Sequence, residues 1–198
     1  MPRTPKYTPE QIVDAAFAIV REDGEEALSA RTLAARLGCS VRPIFGQFAG
    51  MEDVRHAVWR RAREAYNGFI AEAMRRRSDK PYLSSGLAYV DFARTEPQLF
   101  AMLFMRPRTD EEMAQAERDV APIVRLVAAQ LGVGYERAYD FHMQLWVHVH
   151  GLATMIATRY LTWDAEFVER SASQVYLALK AALDAEQAGR TRQAKRGE

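Results

Sequence analysis

The sequence is poor in cysteine and has no long apolar run. Its single cysteine, Cys39, cannot form a disulfide within one chain. Residues 1–7 contain no apolar stretch of the kind that a secretory signal peptide requires. The longest stretch without Asp, Glu, Lys or Arg, from Phe141 to Thr158, contains other polar residues and is shorter than the roughly 20 apolar residues that span a bilayer. These absences favour a cytoplasmic protein with no membrane partner.

The sequence also lacks an excess of charge of either sign. Its 27 lysines and arginines nearly balance 26 aspartates and glutamates, which leaves a formal net charge of +1. Any surface for nucleic acid therefore depends on particular arginines and lysines and not on the field of the whole molecule. The remaining composition, 48% hydrophobic and 27% charged, is that of an ordinary globular protein.

Helical periodicity predicts an all-α fold. Apolar residues recur at helical spacing nearly everywhere, and no segment alternates convincingly like a strand. Cap residues, glycines and prolines divide the chain into about nine helices. Their predicted bounds are Thr8 to Glu22, Ala30 to Leu37, Val41 to Gln47, Met51 to Arg77, Pro81 to Thr95, Pro97 to Met105, Asp110 to Leu131, Gly134 to Leu161 and Ala165 to Glu186.

The breaks in this pattern predict three regions. Residues 1–50 form a small N-terminal unit, and residues 51–186 form a larger helical body that begins with one long connecting helix. Residues 187–198 are polar and basic with too little apolar content to pack, so we expect a disordered tail.

Two short helices in the N-terminal unit form a helix-turn-helix pattern. Ser29 and Ser40 are suitable N-caps, and Leu37-Gly38-Cys39 forms the turn between the helices. Gly38 supplies the positive φ that a tight helix end often requires. The contacts that hold the two helices together are predicted for Leu33, Leu37 and Ile44. The second helix is then free to enter a major groove.

The residues around this motif follow a longer pattern. It comprises Thr8-Pro9-Glu10-Gln11-Ile12, Ala15-Ala16, Gly24, Leu28-Ser29, Arg31, Leu33-Ala34-Ala35, Leu37-Gly38, Ser40 and Phe48. At this spacing the sequence resembles the TetR family of transcriptional regulators. The resemblance implies a DNA-binding domain in residues 1–50 and a C-terminal domain for ligand binding and dimerisation. It also implies a repressor that binds operator DNA as a homodimer and is released by a small apolar or amphipathic effector.

The resemblance also assigns candidate DNA contacts. It makes Val41 to Gln47 the recognition helix, with Ser40 as its cap. Arg42 is the candidate for reading a base, because a guanidinium forms paired hydrogen bonds with guanine; a solvated or phosphate-bound arginine is the alternative. Arg31, Thr32 and Thr8 are candidates for phosphate contacts, and Arg3 and Lys6 either reach a minor groove from a flexible arm or are disordered. The full set is Arg3, Lys6, Thr8, Arg31, Thr32, Ser40, Val41, Arg42, Pro43, Phe45 and Gln47.

Three residues depart from the family pattern where phosphate contacts are expected. Phe45, Gln47 and Met51 stand where the family usually has tyrosine, histidine and lysine. Losing two or three donors to phosphate weakens sequence-independent affinity, and Arg55 is a candidate to compensate.

The C-terminal body carries a second resemblance. The segment Gln144 to Leu152 resembles the C-terminal domain class of TetR-like regulators marked by Trp, His and Gly at this spacing, here Trp146, His150 and Gly151. Trp146 and His150 share a helix face, and Gly151 leaves room for a close helix crossing. We expect an effector cavity lined by Phe100, Phe104, Met105, Trp146 and His150, with a plain hydrophobic core as the alternative.

Three histidines of the C-terminal body are not spaced as metal ligands. His142, His148 and His150 lie too far apart around and along a helix to hold a metal together, so we expect neither a metal site nor a cofactor. An apolar stripe on the last helix predicts a dimer interface. The alternative is that the stripe packs in the core of its own chain. The residues of the stripe are Val168, Ala172, Val175, Leu179 and Leu183.

Two other classes of function stay open at this point. A helical partner-binding protein with weak DNA affinity would explain the replaced phosphate donors. An all-helical enzyme is disfavoured, because no nucleophile, base and orienting group stand at a recognisable spacing.

Overall fold

The computed structural model describes residues 7–194, with the side chains of residues 7–189. This part of the chain contains nine α-helices and no strand, so the predicted all-α fold is confirmed. The helices are α1 (Pro9–Asp23), α2 (Ala30–Arg36), α3 (Arg42–Phe45), α4 (Met51–Arg76), α5 (Pro81–Thr95), α6 (Pro97–Phe104), α7 (Asp110–Leu131), α8 (Tyr135–Ala157) and α9 (Ala165–Ala194). A 3₁₀ turn (Glu25–Ala27) lies between α1 and α2.

Local caps explain where several helices begin and end. The backbone N–H of Gln11 donates to the Thr8 hydroxyl oxygen (3.3 Å), and the Thr8 N–H donates to the Gln11 side-chain oxygen (2.9 Å), which starts α1. Thr109 and Glu112 form the same reciprocal pair at the start of α7. Gly132 adopts the left-handed conformation that ends α7.

The first compact unit consists of residues up to Glu72 together with Phe92–Pro107. Within it α1 packs against α2 and α6 around buried apolar side chains, and ion pairs join Arg21 to Glu96 and Arg106 to Glu25. The fully buried side chains include Ile12, Val20, Leu28, Leu33, Ile44, Val54 and Val58. This unit is larger than the segment 1–50 to which we assigned DNA binding, since it adds most of α4, the end of α5 and all of α6.

The second compact unit consists of Ala73–Asp91 and the residues from Arg108 onwards. Here α8 packs against both α7 and α9. The centre is a cluster of buried residues from α5, α7, α8 and α9: Tyr82, Val124, Val127, Ala138, Phe141 and Leu183.

Two helix ends differ from the prediction by more than two residues. The α8 helix ends at Ala157, before the predicted Leu161, and Arg159 then adopts a positive φ of 56°. The α9 helix continues to Ala194, so helical backbone replaces the disorder that we predicted for residues 187–194. The added segment consists mostly of Ala, Arg and Gln, and such residues extend an existing helix at little cost.

Candidate nucleic-acid interface

The helix-turn-helix is built by a cap at one end of α2 and a glycine at the other. The Thr32 N–H donates to the Ser29 hydroxyl oxygen (3.2 Å), and the Ser29 N–H donates to the Thr32 hydroxyl oxygen (2.9 Å). At the other end Gly38 has a φ of +61°, as predicted, and its N–H donates to the carbonyl of Ala35 (3.1 Å). The Cys39 N–H donates to Ala34 (3.0 Å). These two bonds close the end of α2, so the chain reverses sharply before α3.

Buried side chains hold this motif together. Leu33 and Ile44 are fully buried, and Leu37 is partly buried. All three residues that we expected to lock the helices are therefore at least partly removed from solvent. The short α3 helix is anchored by Ile44, while its other side is open.

The predicted N-cap role of Ser40 is wrong. The helix α3 begins at Arg42, the N-cap position is Val41, and no side chain caps this end. The reason is readable in the sequence: an N-cap at Ser40 would place Pro43 at the third helical position, where a backbone N–H usually donates to the cap. Proline has no such N–H. Instead, the Val41 carbonyl accepts from Ile44 (3.1 Å) and Phe45 (3.3 Å).

The outer side of α3 combines a cation with apolar side chains. Arg42 is exposed, and Val41 and Phe45 are 42% and 46% exposed. Pro43 and Gln47 are partly buried.

The arginines of the motif divide into two kinds. Arg21 pairs with Glu96, and Arg36 binds Glu22 through two hydrogen bonds of 2.6 Å each. Arg31 and Arg42 are exposed, and within residues 7–194 no carboxylate pairs with either. Positive charge is thus uncompensated at the beginnings of α2 and α3.

Thr8 and Thr32, which we predicted to contact phosphate, already form hydrogen bonds within the chain through their hydroxyl groups. Thr8 takes part in the cap of α1, and the Thr32 hydroxyl donates to the carbonyl of Ala27 (2.8 Å). A phosphate contact by either hydroxyl stays a prediction, and it has to share or replace these bonds. Arg3 and Lys6 lie outside the described residues.

Tyr7 is a positioning residue that the sequence analysis missed. Its hydroxyl donates to the carbonyl of Leu37 in the turn. The bond joins residues that are 30 positions apart, so no local pattern signals it. It holds Tyr7 beside the helix-turn-helix turn.

The start of α4 is unsuited to replace the missing phosphate donors. Glu52 and Asp53 occupy its first turn, and Asp53 accepts from the backbone N–H of Ala49 (3.0 Å). Arg55, which we considered as a replacement, donates to the carbonyl of Leu28 (2.9 Å) and pairs with Glu52. Arg55 therefore holds α4 to the motif.

The predicted effector residues of α6 belong to an aromatic cluster in the first unit. Phe100 is fully buried, Phe104 is partly buried and Met105 is 39% exposed. The ring centroids of Phe100 and Phe104 are 5.1 Å apart, and the Phe104 ring lies 5.1 Å from that of Tyr66. The contact between Tyr66 and Phe104 is edge-to-face, an arrangement that is typical of packed aromatic side chains.

The other two predicted effector residues belong to the second unit. The rings of Trp146 and His150 are stacked with their centroids 4.6 Å apart. The Tyr89 hydroxyl lies 2.7 Å from His150 Nδ1. Burial, and to a lesser degree the positive charge of Arg108, lowers the pKa of His150. The neutral imidazole is thereby favoured beside the indole ring.

The three histidines of α8 have separate partners. His142 Nδ1 lies 3.1 Å from the Tyr82 hydroxyl, and His148 Nε2 lies 3.1 Å from the Ser171 hydroxyl, whereas His150 contacts Tyr89. Across residues 7–194, no three His, Cys, Asp or Glu side chains are grouped closely enough to hold a metal ion.

The predicted dimerisation stripe of α9 is largely core of its own chain. Val168, Ala172 and Leu183 are buried within one chain, and Leu179 packs against the central cluster of the second unit. Val175 is partly buried. The interpretation of this stripe as a dimer surface is therefore wrong for its buried members. The exposed large aliphatic residues of α8 and α9 lie elsewhere, at Val147 and Leu177.

Among residues 7–194, none of the helices is both long enough and apolar enough to cross a bilayer.

The chain is similar to known regulators over most of its length. The family described as tetracyclin repressor-like, C-terminal domain, matches residues 83–189, which is more than half of the chain. The chain belongs to the TetR family. It is a TetR-like transcriptional regulator, and the matched segment contains Trp146, His150 and Gly151.

The chain is also similar to one curated protein and to one solved structure. An uncharacterised HTH-type transcriptional regulator from Mycobacterium tuberculosis (strain ATCC 25618 / H37Rv) is 26% identical over 160 residues, which cover 79% of this chain and 73% of that protein. The crystal structure of a transcriptional regulator from Rhodococcus sp. Rha1 matches with a TM-score of 0.63 at 20% identity, covering 89% of this chain and 97% of the other. The second comparison shows that the two chains share a fold.

Proposed function

We propose that this chain is a ligand-responsive repressor that acts in the cytoplasm and binds operator DNA as a homodimer. The observation that carries the proposal is the pair Arg31 and Arg42, exposed on a helix-turn-helix whose other described arginines are paired. A guanidinium at the start of the second helix is placed to reach base edges in a major groove. With a net charge of only +1, such local cations supply the attraction to phosphate.

An electrophoretic shift assay with the DNA that flanks the gene tests this proposal. At a stated salt concentration, the unaltered protein should retard one fragment in the presence of excess unrelated DNA. Arg42→Ala should weaken this shift. The matched control is Arg170→Ala, which removes an exposed arginine of α9 that pairs with Glu166 and should leave the shift intact. Absence of any specific shift would favour the alternative of a helical partner-binding protein.

A second copy of the chain explains the outward faces of α8 and α9. Val147 and Leu177 are 64% and 61% exposed, which makes them the most exposed large aliphatic side chains among the described residues. Gly151, one turn after Val147, has open space where a Cβ would be. Glycine costs about 1 kcal/mol relative to alanine inside a helix, and no described residue of the same chain occupies the space. A helix of the partner, packed closely against Val147 and Gly151, would use it.

We propose that the effector binds at the residues predicted for it from the sequence. These are Phe100, Phe104 and Met105 in the first unit and Trp146 and His150 in the second. Aromatic and thioether side chains with a few polar atoms suit an apolar or amphipathic ligand. To shift the protein from mostly DNA-bound to mostly DNA-free, the effector must bind the DNA-free state about 5.5 kcal/mol more tightly than the DNA-bound state.

Trp146 provides the measurement for the effector. A compound that releases the DNA should change the fluorescence of Trp146, and Trp146→Phe should weaken this response while DNA affinity without the compound stays unchanged. Displacement of DNA with no effect of Trp146→Phe on the compound's potency would place the effector elsewhere.

A further inference from the structure

Two apolar side chains of α3 are exposed without a packing role. In the described chain up to residue 50, Val41 and Phe45 stand out as the large hydrophobic side chains left exposed, at 42% and 46%. They are four residues apart, and the Phe45 N–H donates to the Val41 carbonyl (3.3 Å), so both lie on one side of the helix. Ile44 already anchors α3 in the core. The stability of the unit does not explain this surface.

The chemistry of Val41 and Phe45 limits the kinds of partner that they can contact. Neither valine nor phenylalanine can donate a hydrogen bond to phosphate. The neighbouring Arg42 and Arg31 are exposed and have no carboxylate partner within residues 7–194, so the surroundings favour a polyanion over an apolar protein groove. In a major groove, the apolar group on a base edge is the C5-methyl of thymine.

We propose that Val41 and Phe45 make a thymine-selective contact through this methyl group, at base pairs adjacent to the one that Arg42 reads. The inference rests on the proposed function, because it requires α3 to lie in a major groove. It makes Phe45 a specificity-determining residue. It also predicts that the operator carries thymine at one or two fixed positions.

Uracil substitution tests the proposal, because deoxyuridine lacks only the methyl group and keeps every hydrogen-bonding atom of thymine. Each thymine of the retarded fragment is replaced singly, and affinity is measured by fluorescence anisotropy. The unaltered protein should lose about fourfold in affinity at one or two positions. The double variant Val41→Ala, Phe45→Ala should bind the thymine and uracil fragments equally. Phe45→Tyr, which keeps the ring, should keep the preference.

The outcomes separate this inference from the proposed function. If the unaltered protein binds no fragment specifically, the proposed function fails, and the contact fails with it. If the protein binds but tolerates uracil everywhere, or if the double variant keeps the full preference for thymine, the fragment is an operator and the methyl contact is refuted. Circular dichroism of the variants checks that they fold, as the exposure of both side chains leads us to expect.

Discussion

Arg42 and Arg31 are both exposed and unpaired within residues 7–194, but they occupy different places in the motif. Arg42 is the first residue of α3, and Arg31 is the second residue of α2. The first should meet base edges, and the second should meet the DNA backbone. A change at Arg42 should therefore alter sequence preference, whereas a change at Arg31 should not.

Titrations on duplexes with single base-pair changes, repeated at several salt concentrations, check this difference. Arg42→Ala should weaken binding of the operator by about 1 to 3 kcal/mol and relax the preference at one position. Arg31→Ala should weaken all duplexes alike and lower the salt slope by about 1. The assignment of Arg42 would be wrong if Arg42→Ala changed the salt slope and left the base preference intact.

His142 makes the stability of the fold sensitive to acid. Burial lowers its pKa from 6.5 to about 4. As the pH falls below 6.5, the unfolded chain takes up a proton that the folded chain does not, so stability decreases until the pH reaches about 4. From this group alone, the free energy of unfolding should fall by about 2 kcal/mol between pH 7.5 and pH 5.

Urea unfolding at the two pH values measures this loss. His142→Asn keeps an acceptor near the Tyr82 hydroxyl and removes the titrating ring, so its stability should lack this part of the pH dependence. The control His148→Asn changes a less buried histidine of the same helix and should keep it. Equal losses in the unaltered protein and in His142→Asn would show that other groups cause the acid sensitivity.

At the scale of helices, the sequence patterns predicted which helices are present more accurately than where each helix begins and ends. Every predicted helix is present, because the apolar periodicity and the caps at Thr8, Ser29 and Thr109 act locally. The predicted cap of α3 at Ser40 is wrong, because Pro43 has no backbone N–H to donate to it. The bonds from Tyr7 to Leu37 and from Arg21 to Glu96 join distant positions, and no pattern in one sequence reveals such pairs.

The two serines of the helix-turn-helix should therefore differ in their effect on stability. Ser29 accepts from the Thr32 N–H, whereas no side chain caps α3. Ser29→Ala should lower the free energy of unfolding by about 1 kcal/mol. Ser40→Ala should change it by less than about 0.5 kcal/mol. Denaturant melts of both variants make the comparison, and an equal loss would mean that Ser40 does cap α3.

At the scale of the molecule, periodicity could not predict which side of α9 packs against its own chain and which side is exposed. The helix has apolar residues on more than one side, and spacing alone does not tell which side meets its own chain. In the structure the side with Val168, Ala172 and Leu183 is buried, and Leu177 faces outward. The proposed dimer accordingly uses Leu177 and Val147 in place of the predicted stripe.

A matched pair of variants distinguishes the two faces. Leu177→Glu should give a folded monomer, because the side chain is exposed in one chain and lies in the proposed interface. Leu179→Glu should destabilise the chain itself by about 2 kcal/mol or more, because Leu179 packs against the central cluster. Sedimentation at micromolar concentration and thermal melts give both readouts. A Leu177→Glu protein that remains dimeric would rule out this interface.

The spacing of operator half-sites tests the central claim most directly, because it involves both DNA binding and the dimer. A duplex from the DNA that flanks the gene is compared with a scrambled duplex and with one that has roughly 5 base pairs, half a helical turn, inserted between its half-sites. We expect two chains per native duplex, bound at least about a thousandfold more tightly than the scrambled one. The insertion should remove most of this advantage, because it turns one half-site to the opposite side of the duplex. Equal affinity for all three duplexes would contradict the account.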